Sequence, residues 1–350
     1  QRRSWLFVIQ ALLVAALWQL GSSDPAHHLG SFAFWAIATA FLSATQDIVI
    51  DAYRIEILSD RQLAFGTAMN QFGYRTGNLL AGAGTIALFS PEGFGFGWPL
   101  AYGLTSLLVI PAALTALWIG PGRFRAIDTG HRPADWFRST VVAPFAEFLR
   151  RPGAWLILLF VLTYKLGDAM GQLMLNPMIV DQGYSDTDYV AISKLVGFWA
   201  LIVGSGLGAP MIARFGIARS LFISGIIMMI ANLCFAGVAL SGHSRAALGF
   251  AVGLENLFAG IGLTVFATYL SGLSNLAFTA TQYALLSSVA AVGRTFISAP
   301  SGYVQSATGW PGFYVFAACM GIPGLLCLWA MLKRGFIVER PRQPEAEERS

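Results

Sequence analysis

The chain has 350 residues, of which 56% are hydrophobic and only 11% charged, with a net charge of +4. A soluble domain carries about 25% charged residues and must cover its surface with them. This composition, with a mean hydropathy of +0.63, excludes a soluble globular protein, a disordered chain and a disulfide scaffold, and leaves a polytopic all-α membrane protein.

Crossing about 30 Å of hydrocarbon as helix takes about 20 apolar residues. Ten such segments are predicted, at 5–20, 31–55, 62–89, 98–119, 153–179, 187–212, 219–240, 247–272, 278–304 and 311–332. Turn-forming sequences separate them, among them Ser-Pro-Glu-Gly at 90–93 and Ser-Gly-His-Ser at 241–244. The longest joint, 120–152, reads as a central cytoplasmic loop. It divides an N-terminal bundle, 1–119, from a six-helix bundle, 153–333, with a polar cytoplasmic tail at 334–350. Of the 22 Lys and Arg, 17 fall on one side of this map, one (Arg245) on the other and four within spans. By the positive-inside rule the Arg-rich side is cytoplasmic, and so are both ends of the chain. The basic excess is therefore a topology signal, and nucleic acid is not an expected partner. The three cysteines lie inside apolar runs and read as small core residues.

An internal repeat supports two parallel halves. Trp98-Pro99 with Tyr102 returns as Trp310-Pro311 with Tyr314, Ile110-Pro111 as Ile322-Pro323, and Arg75-Thr76 as Arg294-Thr295. Halves repeated in the same direction are the architecture of the major facilitator fold, with the substrate site near the membrane midplane. Only four spans precede the central loop, against six after it, and the chain opens without Met. Ten of twelve helices are therefore expected here, the first two being missing.

Ionisable groups within a span cost at least about 2.5–3.5 kcal/mol and need partners or a wet cavity. Asp47, Asp51 and Arg54 share one helical face. Lys165 and Asp168 are spaced i, i+3, with Gln172 one turn on. Arg75, Lys194, Glu255 and Arg294 each stand alone on a span, and Asn256 adjoins Glu255. Arg54 reads as an anchor snorkelling to water, and Lys165–Asp168 could equally be a self-neutralised structural pair. The Gly204-x-Gly206-x-Gly208 run reads as close helix packing through Gly204 and Gly208, four residues apart, not as a dinucleotide loop. Four cations on one cavity suit an anionic or zwitterionic solute, and four carboxylates offer proton sites. No nucleotide-binding loop, zinc motif or haem ligand occurs, so no cofactor or metal is expected and the chain is not read as an enzyme.

Ser43-Ala-Thr-Gln-Asp47-Ile-Val-Ile-Asp51-Ala-Tyr-Arg54 resembles the AmpG-type muropeptide permeases of the major facilitator superfamily. The likeness continues in Tyr164-Lys165-Leu-Gly-Asp168, Glu255-Asn256-Leu, Ala280-Thr-Gln282-Tyr and Ala291-Val-Gly-Arg294. It implies proton-driven import of anhydro-muropeptides across the bacterial inner membrane, for cell-wall recycling and β-lactamase induction, by a monomer in the lipid bilayer. Under it, Arg75, Lys165, Lys194 and Arg294 face substrate carboxylates, with Asp168 and Gln172 beside Lys165. Asn256 and Gln282 meet sugar hydroxyls and amides, and Asp47, Asp51 and Glu255 carry the proton. The Thr-Gln-Asp-Ile segment also resembles acetyl-coenzyme A transporters, so another anionic metabolite stays open, as does a receptor for cell-wall fragments that does not transport. A reporter fused after Arg132 should lie in the cytoplasm and one near Gly95 on the opposite face; finding both on one side would refute the segment map.

Overall fold

The computed structural model describes residues 2–25, 27–90, 94–119, 142–185, 192, 196–275 and 278–337. Residues 120–141 of the predicted central loop at 120–152, the tail beyond 337 and Lys194 lie outside them. Helix α1 is Arg2–Ser22 and α2 is Leu29–Ile57. Helix α3 starts at Asp60–Leu79 and continues through a π turn, Leu80–Gly84, into Thr85–Phe89. Its start is a capping box in which Ser59 and Gln62 satisfy each other's backbone N–H. Helix α4 comprises Trp98–Ser106 and Val109–Ile119, and α5 is the short Ala143–Leu149. Helix α6 is broken in two, Ala154–Thr163 and Leu166–Asp181. The 45-residue stretch Gly197–Ser241 turns at Gly216 (φ 77°, ψ 166°), which splits it into α7 (197–215) and α8 (217–241). Helix α9 is Arg245–Leu273. Helix α10 runs from Thr279–Val292 through a π turn, Gly293–Ile297, and from Ser301 to a second glycine turn at Gly309 (φ 68°). Helix α11 follows, 310–319 and Ile322–Lys333.

Among the described residues, seven helical stretches are long and apolar enough to cross a membrane. The ten predicted segments resolve onto these and the remaining helices for physical reasons. The pair α7 and α8 is continuous but for Gly216, and a 45-residue helix at 1.5 Å per residue would be twice the hydrocarbon thickness. Helix α3 is too polar to count, because Asn70, Gln71, Arg75 and Asn78 ride on it. Helix α10 is interrupted at Ser298–Pro300. Gly216 and Gly309 need the left-handed backbone that only glycine adopts without strain.

The chain packs as two compact units, residues 1–145 with 271–284, and 146–270 with 285–350. In the first, α1 packs on α2 and α4. Glycine makes the second contact close, since a Cβ on Gly103 would sit 2.3 Å from the Trp18 ring and one on Gly21 2.5 Å from Tyr102 Cβ. The second unit has its core around Phe313, Tyr314, Phe235, Met170 and Val252. There α7 meets α9 nearly backbone to backbone. A Cβ on Gly204 would lie 2.0 Å from the Leu257 carbonyl oxygen, and one on Gly208 2.7 Å from Thr264 Cβ. The Thr264 hydroxyl donates to the Ser205 carbonyl at 2.9 Å across the same seam. Small residues that bring backbones together are what holds helices in lipid, where apolar burial supplies no drive. Gly206, one step round the helix, meets nothing within 4 Å. Gly204→Ala should therefore destabilise the purified protein by about 1–3 kcal/mol through overpacking. Gly206→Ala should leave its thermal transition unchanged or higher; equal effects of the two would refute the seam.

Candidate functional site

In the first unit the polar centre is Arg54. The sequence suggests a side chain snorkelling to water; the structure instead buries it to 7% exposure. A guanidinium in that position must spend its donors, and Arg54 donates to Asp51 Oδ1 at 3.0 Å, to the Thr67 hydroxyl, and to the Ser271 hydroxyl at 3.3 Å. It also sits 5.9 Å from the centre of the Tyr283 ring. One side chain thus ties α2 to α3 and to the 271–284 segment. Asp51 is half-buried, and Asp47, one turn earlier on α2, is exposed. Glu56, a charged residue that the motif reading does not single out, is 1% exposed. Gln282 is wholly buried, its amide oxygen accepting from the Asn275 N–H at 2.8 Å and its NH₂ donating to the Pro144 carbonyl at 3.1 Å. Both ends of that amide are therefore engaged by backbone. Arg75 is half-buried on α3, its Nε without a partner among the described residues.

In the second unit, five of the predicted residues come together. Helix α6 breaks at Tyr164–Lys165, so that Asp168 stands in the first turn of Leu166–Asp181. There the exposed N–H ends of the helix favour its negative charge. Lys165 Nζ pairs with Asp168 Oδ2 at 3.0 Å, their side chains 13% and 10% exposed. Glu255 on α9 is 6% exposed. Its Oε1 accepts from Gln172 Nε2 at 2.8 Å and its Oε2 from Asn256 Nδ2 at 2.9 Å. Two glycines one turn apart on α6 make room for this. A Cβ on Gly167 would fall 2.2 Å from the Ala317 carbonyl oxygen, and one on Gly171 2.2 Å from Asn232 Oδ1. Among the described residues the cluster holds two carboxylates and one ammonium, a formal charge of −1 in a region that solvates charge poorly. A single proton, or a cationic group, neutralises it. Arg294 is exposed on the π turn of α10.

Tyr314 is the residue of this cluster that sequence reasoning passes over. It enters the sequence only as the end of the Trp-Pro-x-x-Tyr repeat, yet it is wholly buried and its hydroxyl makes no hydrogen bond among the described residues. Near Asp168 a cavity with room for about one water molecule is lined also by Tyr164, Met228 and Asn232.

No model of a protein family matches the chain. It is 35% identical over 329 residues, 94% of its length, to the anhydromuropeptide permease of Escherichia coli K12, and spans 65% of that protein. To the putative transporter AmpG 4 of Rickettsia conorii it is 32% identical over 327 residues, spanning 78% of that chain. The fold is that of solved major facilitator transporters. The outward-facing FucP structure covers 94% of the chain with a TM-score of 0.71 at 15% identity. XylE, a proton:xylose symporter, covers 95% with 0.70 at 14%.

Removing Arg54 would leave Asp51 a partly buried charge without its partner. Arg54→Leu should cost about 3–5 kcal/mol in thermal or denaturant unfolding. The Asp51→Asn, Arg54→Leu double variant should lose less than that single one. If the double variant is the less stable, the bond is not what holds these elements.

Proposed function

The chain belongs to the AmpG family of major facilitator transporters, and on that premise we propose that it takes part in proton-coupled import of anhydro-muropeptides across the bacterial inner membrane, with both ends cytoplasmic. It does so as a secondary transporter, hydrolysing no nucleotide. Proton sites fall in each unit, Asp51 with Asp47 in the first and Glu255 in the second. Arg75, Lys165, Lys194 and Arg294 are the cations for the carboxylates of the substrate's peptide. Asp168 holds Lys165 in place, and Gln172 and Asn256 offer amides to sugar and peptide.

The observation that carries this reading is the second-unit cluster. Its cation is bonded to Asp168, while Glu255 is held only by neutral amides. A structural ion pair would balance its charges; this cluster carries one carboxylate more than its cation offsets, which suits a group that gains and loses a proton. The name of the E. coli relative supplies the substrate.

The test uses the full-length protein in liposomes with a labelled anhydro-muropeptide. Wild type should concentrate it under an inward pH gradient, and unlabelled muropeptide, but not acetyl-coenzyme A, should compete. Asp51→Asn should lose uphill uptake, falling to the level seen without a gradient, while counterflow continues, since exchange needs no net proton movement. Asn keeps the size of the neutral acid but has no proton to release. Binding without exchange in wild type would make the protein a receptor. Uphill uptake by Asp51→Asn would pass the coupling role to Asp47 or Glu255.

A further inference from the structure

Glu255 is held as an ionised carboxylate is held: each oxygen accepts one N–H, from Gln172 across the gap to α6 and from Asn256 on its own helix. Lys165 is engaged by Asp168. Among the described residues, the charged and titratable groups that act on Glu255 are Asp168 and Lys165, both from α6, and Tyr314 of α11, whose ring edge lies 3.7 Å from where a Cβ on Gly171, next to Gln172, would sit. Helix α7 meets this part of α9 at Gly197, beside Asn256, and α8 brings the neutral Asn232 to Gly171. The Tyr314 hydroxyl has no partner among the described residues, although its ring is locked by stacking on Phe235 at 5.1 Å and by edge contact with Phe313 at 5.2 Å.

We propose that a proton switches Glu255 between helices: ionised it is tied to Gln172 of α6, and protonated it donates to the Tyr314 hydroxyl of α11 and releases Gln172. The proposal rests on reading Glu255 as a proton site. An ionised carboxylate only accepts hydrogen bonds, and the two amide NH₂ groups suit it. When a proton arrives from water on Oε1, that oxygen becomes a donor and a much weaker acceptor for the Gln172 N–H that points at it. A tyrosine hydroxyl both donates and accepts. A buried hydroxyl without a bond carries a desolvation penalty that this new bond recovers. The bond to Gln172 Nε2 breaks, the bond from Glu255 O–H to Tyr314 Oη forms, and no other proton changes hands. The α6–α9 tie is thereby exchanged for an α9–α11 tie, a two-state element of the kind that turns a protonation into a movement. Tyr314 acts here as a positioning residue.

The test is pH-difference infrared spectroscopy on the full-length protein in liposomes. The carbonyl band of the protonated acid, assigned by its loss in Glu255→Gln, should move to higher frequency in Tyr314→Phe, because the acid has lost its acceptor. An unmoved band overturns the switch while leaving Glu255 as a proton site. No band lost in Glu255→Gln overturns the proton-site reading itself, and the switch with it. Should Tyr314→Phe fail to fold, isotope-labelled tyrosine gives the same answer without it. The tyrosine C–O band should respond to pH in wild type and not in Glu255→Gln, and an identical response in both overturns the proposal.

Discussion

A charge inside hydrocarbon must find its partner within the protein, and the arrangement of both polar centres follows from that single constraint. Arg54 meets it with three side-chain acceptors and an aromatic face, so that burying one guanidinium fixes two helices and a further segment against each other. The second centre meets it incompletely. Lys165 and Asp168 cancel, and Glu255 is left with amides. A cluster left a single charge out of balance is poised to respond to protons.

The glycines set how near the polar groups can come. Gly167 and Gly171 let α6 approach the Ala317 carbonyl and the Asn232 amide to distances no Cβ would permit. Glycine in a helix costs about 1 kcal/mol in propensity, and in lipid that cost is offset by contacts between backbones.

What the sequence yields and what it withholds divide along the range of the interactions. Lys165–Asp168 and Asp51–Arg54 are i, i+3 pairs, legible because helical spacing alone brings them together. The spans themselves are legible from apolar length, and Gly204 and Gly208 from their spacing. The Gln172–Glu255 bond joins residues 83 apart in the chain, and no local rule specifies it. The break at Lys165 was equally hidden, since Lys-Leu-Gly-Asp carries no proline. Arg54 reads as solvated because its place near the end of α2 suggests water, whereas Thr67 and Ser271 come from elsewhere to enclose it. Gln282 sits in a family-like motif, yet its amide bonds backbone at both ends.

The turn at Gly216 has a bearing on how this part of the chain is oriented. Between α7 and α8 a single residue leaves the helical conformation, and one residue spans only about 3.8 Å. The end of α7 and the start of α8 therefore share one membrane face, and Arg214 and Arg219, one on each side of the turn, favour the same face for both. A single pair of arginines thus serves as the orientation signal of two spans.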